Sequence, residues 1–200
     1  MIKEGQINIS EENKCFLWLP PKTGTMHASH IFSHLNFNTV GWKDSTIKVD
    51  YFRHNHSIRL FPGHENYKLI CTARNPFTLL ISEFKFYEVR KDEDFNSENF
   101  RKYFASQSEM NFKLFFTHMK NRVPDYFLRV EHLYYDYIQI PFVRNSKLNK
   151  SGILYDLCQK KINATTETPV GPDFYTPDMI DRVYQAGGDY MKLLNYEFPY

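Results

Sequence analysis

Two short apolar runs, each stopped by a proline-containing turn and each followed at once by a helical pattern, constrain this chain more than any other feature. Cys15 to Leu19 ends at Pro20-Pro21, and Tyr67 to Thr72 is followed by Arg74-Asn75-Pro76. Runs so short, apolar and closed by turn residues read as buried strands. After the first, Ala28, Ile31, Phe32 and Leu35 recur at i, i+3, i+4 and i+7; after the second, Phe77, Leu80, Ile81 and Phe84 do the same. That spacing is one face of a helix. Strands feeding helices in this way predict an α/β fold with a central, mainly parallel sheet flanked by helices, whose ligands bind at the carboxyl ends of the strands. Further strands are predicted at Thr46 to Tyr51, where Ile47, Val49 and Tyr51 alternate with polar residues, and at Tyr126 to Val130. A closing helix is marked by Thr176 as cap, Pro177 at its first position and Asp178 beside its dipole, with Met179, Ile180, Val183 and Tyr184 as its apolar face. A length of 200 residues suits one three-layer domain spanning 1–200.

Composition narrows the function classes. Hydrophobic residues at 42% and charged residues at 24% describe a globular chain, and aromatics at 17% predict a core rich in rings. The balance of 25 basic against 23 acidic residues is too even to predict a nucleic-acid partner, so any anion site is local. Cys15, Cys71 and Cys158 are widely spaced and contain no Cys-x-x-Cys pair, which argues against a disulfide framework or a zinc site. No run approaches the roughly 18 apolar residues of a membrane span, and the first residues lack the apolar stretch of a secretory signal. The expectation is a cytoplasmic protein without a membrane span; oligomeric state is not encoded in any pattern here.

The rule for strand ends directs attention to two turns. Pro20-Pro21-Lys22-Thr23-Gly24-Thr25 lies between a strand and a helix start. Gly24 lets backbone approach an anion, the free N–H groups of the first helical turn point at it, and Lys22 adds a full charge. The Thr23 and Thr25 hydroxyls are expected to complete the cradle. The lysine precedes the only glycine, so this is not the Gly-x-x-x-x-Gly-Lys-Ser/Thr loop of ATP-binding proteins. At the second turn, Arg74 suits bidentate contact with a dianionic phosphate, and Ser82, two helical turns further on, reaches toward the same oxygens.

The stretch Leu19-Pro20-Pro21-Lys22-Thr23-Gly24-Thr25 resembles the loop with which sulfotransferases grip the 5′-phosphosulfate of 3′-phosphoadenosine 5′-phosphosulfate (PAPS). Arg74-Asn75-Pro76, with Ser82 eight residues after the arginine, resembles that family's 3′-phosphate site. The resemblance implies a sulfotransferase fold related in layout to P-loop nucleotide-binding proteins, PAPS as co-substrate, 3′,5′-bisphosphoadenosine as product, and no required metal. It also implies that Pro21, Lys22, Thr23, Gly24, Thr25, Met26, Arg74 and Ser82 bind the nucleotide. Lys161 to Thr166, followed by Tyr175-Thr176-Pro177, is similar to the family's closing loop and helix, which places Asn163 and Thr165 over the nucleotide. Leu128 to Leu133 is similar to its Tyr-Glu-Asp-Leu segment, with Glu131 either a local orienting carboxylate or an ordinary surface residue and His132 in place of the aspartate. Met26 and His27 depart from the family's usual residues, and its cytosolic Gly-x-x-Gly-x-x-Lys loop is absent, which points to the carbohydrate-type branch and leaves the adenine platform unassigned.

Sulfuryl transfer relies on positioning and charge stabilisation, with Lys22 on the leaving oxygen and a base on the acceptor hydroxyl or amine. A neutral histidine suits that base. Arg53-His54-Asn55-His56-Ser57 resembles the His-x-His segment of the 2-O-type carbohydrate sulfotransferases, which makes His56 the first candidate, His54 the second and His64 a third. His27, His30 and His34 share a spacing of i, i+3 and i+7, but no Cys or carboxylate at matching spacing completes a metal site, so a partly exposed helix face is expected. The acceptor class is a carbohydrate or other small metabolite. Two other readings stand beside this one: a kinase-like phosphotransferase using ATP, with Asp50 or Asp125 holding magnesium at a strand end, and a non-catalytic nucleotide or carbohydrate binding module.

Overall fold

The computed structural model describes residues 6–20, 22–35, 38–41, 51–52, 55–56, 66–88, 94–107, 123–160 and 171–200. The chain divides into two compact units, one formed by Met1–Ala73 and His118–Asn163, the other by Arg74–Thr117 and Ala164–Tyr200.

The first unit is built on a sheet of β1 (Gln6–Ser10), β2 (Cys15–Trp18), β3 (Asn38–Gly41), β6 (Lys68–Ala73) and β7 (Tyr126–Arg129), in the order β3-β1-β2-β6-β7. A separate two-stranded ribbon pairs β4 (Tyr51–Phe52) with β5 (Asn55–His56). β2, β6 and β7 run parallel, β1 is antiparallel to β2, and β3 is antiparallel to β1, so within this five-stranded sheet every strand but β1 points the same way. The expected α/β class with a mainly parallel sheet therefore holds. All of β2 and the last five residues of β6 are buried, as central strands shielded on both faces must be. The register Leu17↔Ile70 sets one face and Phe16↔Leu69 and Trp18↔Cys71 the other. On the first face, Cys15, Leu17, Ile70 and Leu128 pack with Ala28, Ile31 and Phe32 of α1 (Thr25–Ser33), and with Tyr137, Ile140, Val143 and Leu154 from a run of short helices. That run is α4 (Leu133–Tyr137), α5 (Pro141–Arg144), α6 (Lys147–Lys150) and α7 (Ile153–Gln159). Burying each large side chain there contributes about 1.5–3 kcal/mol, which makes the i, i+3, i+4 face of α1 its anchor.

The second unit contains α2 (Pro76–Tyr87), α3 (Ser97–Ser106) and α8 (Pro177–Leu194). Here the aromatic excess is spent. Phe77 meets Tyr175 and Phe198 edge-on at 5.3 and 4.9 Å between ring centres, and Phe100 meets Phe84 and Tyr175 at 5.6 and 5.0 Å. The Tyr175 hydroxyl donates to the Phe77 carbonyl at 2.7 Å, so a buried ring keeps its polar end satisfied. Thr176 caps α8 by accepting from the Met179 N–H, and Pro177 occupies its first position, as expected. The face it buries is different from the predicted one: Met179 and Val183 are buried, but Tyr184 is 40% exposed, and the stripe continues instead through Gly187, Tyr190, Met191 and Leu194. Among the described residues no helix is long and apolar enough to cross a membrane. Of the strand predicted at Thr46 to Tyr51, only Tyr51 lies among the described residues, in β4.

Candidate functional site

The loop after β2 is shaped by hydroxyl groups. Thr23, 3% exposed, donates from Oγ1 to the Pro20 carbonyl at 2.6 Å and lies 2.6 Å from Thr72 Oγ1 on the neighbouring strand β6. Thr25 donates to the same Pro20 carbonyl at 2.7 Å. Both hydroxyls are thus bonded to one carbonyl and form a clasp inside the loop. The loop also presents backbone. Gly24 takes the left-handed conformation, φ 83° and ψ 22°, and no side chain caps α1 after it. Side chains cap α2, α3, α6 and α8 through Asn75, Asn96, Ser146 and Thr176, whereas α4, α5 and α7 have no side-chain cap either, α7 starting after left-handed Gly152 as α1 does after Gly24. The first-turn N–H groups of α1 have no partner within the helix by construction, and the positive end of its dipole lies at the same place.

Lys22 also has a left-handed backbone, φ 63°, which costs a non-glycine residue about 1–2 kcal/mol. Its side chain is half-buried at the carboxyl end of β2. The close fit of the loop explains Gly24 further, because a Cβ there would stand 3.0 Å from Val130 Cγ2, just beyond the end of β7. Met26 lies in the first turn of α1 with its side chain 61% exposed. Pro21 is outside the described residues.

Arg129, at the carboxyl end of β7, is held by Asp136, whose side chain is 7% exposed. The guanidinium donates to both carboxylate oxygens, at 3.0 and 2.6 Å, and the Arg129 N–H donates at 2.7 Å. Glu131 and His132 follow as exposed residues. Asp125 lies at the opposite, amino end of β7, accepting from the Leu69 N–H at 2.8 Å and from Lys68 Nζ at 2.7 Å. A magnesium carboxylate for a phosphotransferase belongs at the carboxyl ends of the strands, so Asp125 does not fill that role; Asp50 is outside the described residues.

The three histidines of α1 do not form one exposed face. His30 and His34 are exposed and meet edge-on at 4.9 Å, but His27 is 6% exposed. His27 Nε2 sits 3.1 Å from the Leu157 carbonyl, and Nδ1 has no hydrogen-bond partner. Burial holds its pKa below the ordinary value, so the ring is a neutral core group. No cluster of three or more metal-ligating side chains occurs among the described residues.

In the second unit, the turn before α2 carries Arg74. Its backbone is clamped by Tyr190 of α8, whose hydroxyl accepts from the Arg74 N–H and donates to the Arg74 carbonyl, both at 3.1 Å. Asn75 caps α2 through the Phe77 N–H at 3.0 Å and donates to the Glu197 carbonyl at 2.7 Å. The Arg74 side chain donates from Nε to Thr78 Oγ1 at 3.1 Å, which lays the guanidinium along α2. Thr78, which Arg74 reaches, and Ser82 stand one turn apart along α2, and both are half-buried. Nothing local in the sequence marks Thr78 or Tyr190 for these tasks. Thr72 had a signal, a polar residue inside a buried strand.

His56 is placed by its backbone in β5 opposite Tyr51. His54, His64, Asn163 and Thr165 lie outside the described residues. Comparison with family models, with curated proteins and with solved structures returns no match.

Proposed function

We propose that the chain is a PAPS-dependent sulfotransferase of the P-loop-like kind, acting on a hydroxyl or amine of a carbohydrate or small metabolite. The observation that carries this reading is the uncapped start of α1, directly after a buried parallel strand, with left-handed Lys22 and Gly24 preceding it. That arrangement suits a phosphate-like group, since open N–H groups, a helix dipole and a lysine converge on one loop. The second support is the Arg74 and Ser82 pair, whose spacing matches the family's 3′-phosphate site.

In this reading Lys22 and the α1 amides neutralise the phosphate oxygen from which sulfur departs. The sulfur–oxygen bond to that phosphate breaks as a new one forms to the acceptor oxygen or nitrogen. The acceptor proton passes to a histidine, with His56 as first choice and His54 and His64 behind it. Arg74 and Ser82 hold the 3′-phosphate and take no part in bond making.

Calorimetric binding tests the reading, with 3′,5′-bisphosphoadenosine compared against ADP and against ATP with magnesium, on wild type and on Arg74→Ala. The expected result is a preference for the bisphosphate that collapses by about tenfold or more in Arg74→Ala, the loss of a charge-assisted bidentate contact. Preference for ATP with magnesium, or no binding by a folded protein, refutes it. Bisphosphate binding without turnover of PAPS on any sugar or small-molecule acceptor would leave a binding module instead.

A further inference from the structure

Two of the three α1 histidines face solvent together. His30 and His34 are both exposed and stand one turn apart, at i and i+4. His34 closes the helix with its own backbone still helical, φ −77° and ψ −7°, so the spacing of a regular turn holds between them. Their ring centres lie 4.9 Å apart, with the planes close to perpendicular. An ion bonded to one nitrogen of each imidazole at about 2.0–2.1 Å lies roughly 3.2 Å from each ring centre. Bond angles at the ion of about 90–110° then put the ring centres about 4.5–5.2 Å apart. The observed pair already falls inside that interval. His27, the third histidine, is buried against the Leu157 carbonyl and takes no part.

We propose that His30 and His34 form a two-imidazole site for a divalent ion of the copper, nickel or zinc class, which clamps the last turn of α1. The donor set decides the class: imidazole nitrogens suit these ions, whereas magnesium and calcium require oxygen ligands. Among the described residues no third histidine, cysteine or carboxylate gathers with the pair, so water fills the remaining positions of the ion. The site is independent of the sulfotransferase reading. His30 lies six positions beyond Gly24, about 9 Å along the helix, toward the end remote from the Lys22 loop. What the ion braces is the turn where α1 runs out: the His34 and Leu35 N–H groups bond three residues back, to the Ile31 and Phe32 carbonyls at 3.1 and 3.0 Å. Helix ends of this kind fray. Two ligands at i and i+4 share one ion only while the turn between them stays helical, so binding stabilises that turn.

Calorimetric titration of the full chain with CuCl₂, ZnCl₂ and MgCl₂ tests the site, on wild type, His30→Gln and His34→Gln. Both residues are exposed, so both variants should fold as wild type does. Wild type is expected to bind Cu²⁺ more tightly than Zn²⁺, and Mg²⁺ not at all. Each single substitution should weaken the tightest Cu²⁺ and Zn²⁺ binding by about tenfold or more, at least the cost of losing an outer-shell partner of a metal ligand. Hydrogen exchange at the His34 and Leu35 amides should slow in wild type when Zn²⁺ is bound and stay unchanged in either variant. Equal affinity in wild type and both variants places the ion on other residues and overturns the proposal. A loss in one variant alone reduces the site to a single histidine and overturns it too, as does a wild type that binds neither Cu²⁺ nor Zn²⁺. Binding that depends on both histidines but leaves exchange at the two amides unchanged overturns the clamp.

Discussion

Replacing Gly24 by alanine tests the loop geometry on which the functional reading depends. Gly24 sits at φ 83°, where an L-residue costs about 1–2 kcal/mol relative to glycine. The new methyl would also stand 3.0 Å from Val130 Cγ2, so the valine must give by a few tenths of an ångström. A contact of that kind couples neighbouring sites by about 0.5–1 kcal/mol. The two effects together predict a loss of about 1.5–3 kcal/mol, which for a chain of this size lowers Tm by roughly 3–12 °C. Urea denaturation should show a lower midpoint with an unchanged slope. A cycle with Val130→Ala separates the two causes: the double variant should be more stable than additivity allows by the coupling energy, with the backbone cost remaining. A Gly24→Ala protein more stable than wild type would refute the reasoning, because that is the outcome where glycine occupies a conformation open to alanine. Strict additivity in the cycle would refute the contact with Val130 and leave only the backbone effect.

Two further perturbations reach other parts of the argument. Tyr190→Phe removes the hydroxyl that pairs both backbone groups of Arg74. It should lower stability by about 1–3 kcal/mol and speed hydrogen exchange at the Arg74 amide, and an unchanged exchange rate there would exclude the clamp. Burial lowers the His27 pKa from 6.5, so between the folded and unfolded values the unfolded chain binds the proton and the folded chain does not. The stability this group contributes is complete above about pH 6.5 and is lost as pH falls through the folded value. His27→Gln, which retains a donor for the Leu157 carbonyl but does not titrate, should flatten the stability profile as pH falls below about 6.5. A slope identical to wild type would show that His27 is not buried as a neutral ring.

The parts of the fold that were legible in the sequence are those whose cause is local. The Arg74-Asn75-Pro76 turn precedes α2, Thr176 and Pro177 start α8, and the apolar spacing names Ala28, Ile31 and Phe32 of α1 and Phe77, Leu80, Ile81 and Phe84 of α2 as buried, with Leu35 only partly so, because each signal lies within a few residues of its effect. β1 left a fainter trace. Only Ile7 and Ile9 alternate within Gln6–Ser10, and the strand is specified chiefly by its pairing with β2 across the turn and with β3. The face of α8 was misread past Val183 because its next buried positions are Gly187 and Tyr190, residue types that do not announce a core stripe.

The candidate site divides along the same line, and the division bears on its chemistry. Lys22, Gly24, Arg74 and Ser82 are motif residues, readable from type and spacing. The groups that hold them are not: Thr72 meets Thr23 across 49 residues, and Tyr190 meets Arg74 across 116. Even the direction of a strand matters, since Asp125 and Arg129 flank the same strand and only the parallel pairing with β6 shows that Asp125 is at the amino edge, bonded to Leu69. Motif spacing marks the groups that the proposal aims at an anion, and tertiary contacts specify how they are held. Under the proposed sulfotransferase reading, whose chemistry depends on donors fixed in advance of the transition state, substitutions at Thr72 and Tyr190 should lower turnover of PAPS on a sugar acceptor through the loop and the arginine they hold, without either side chain touching the nucleotide.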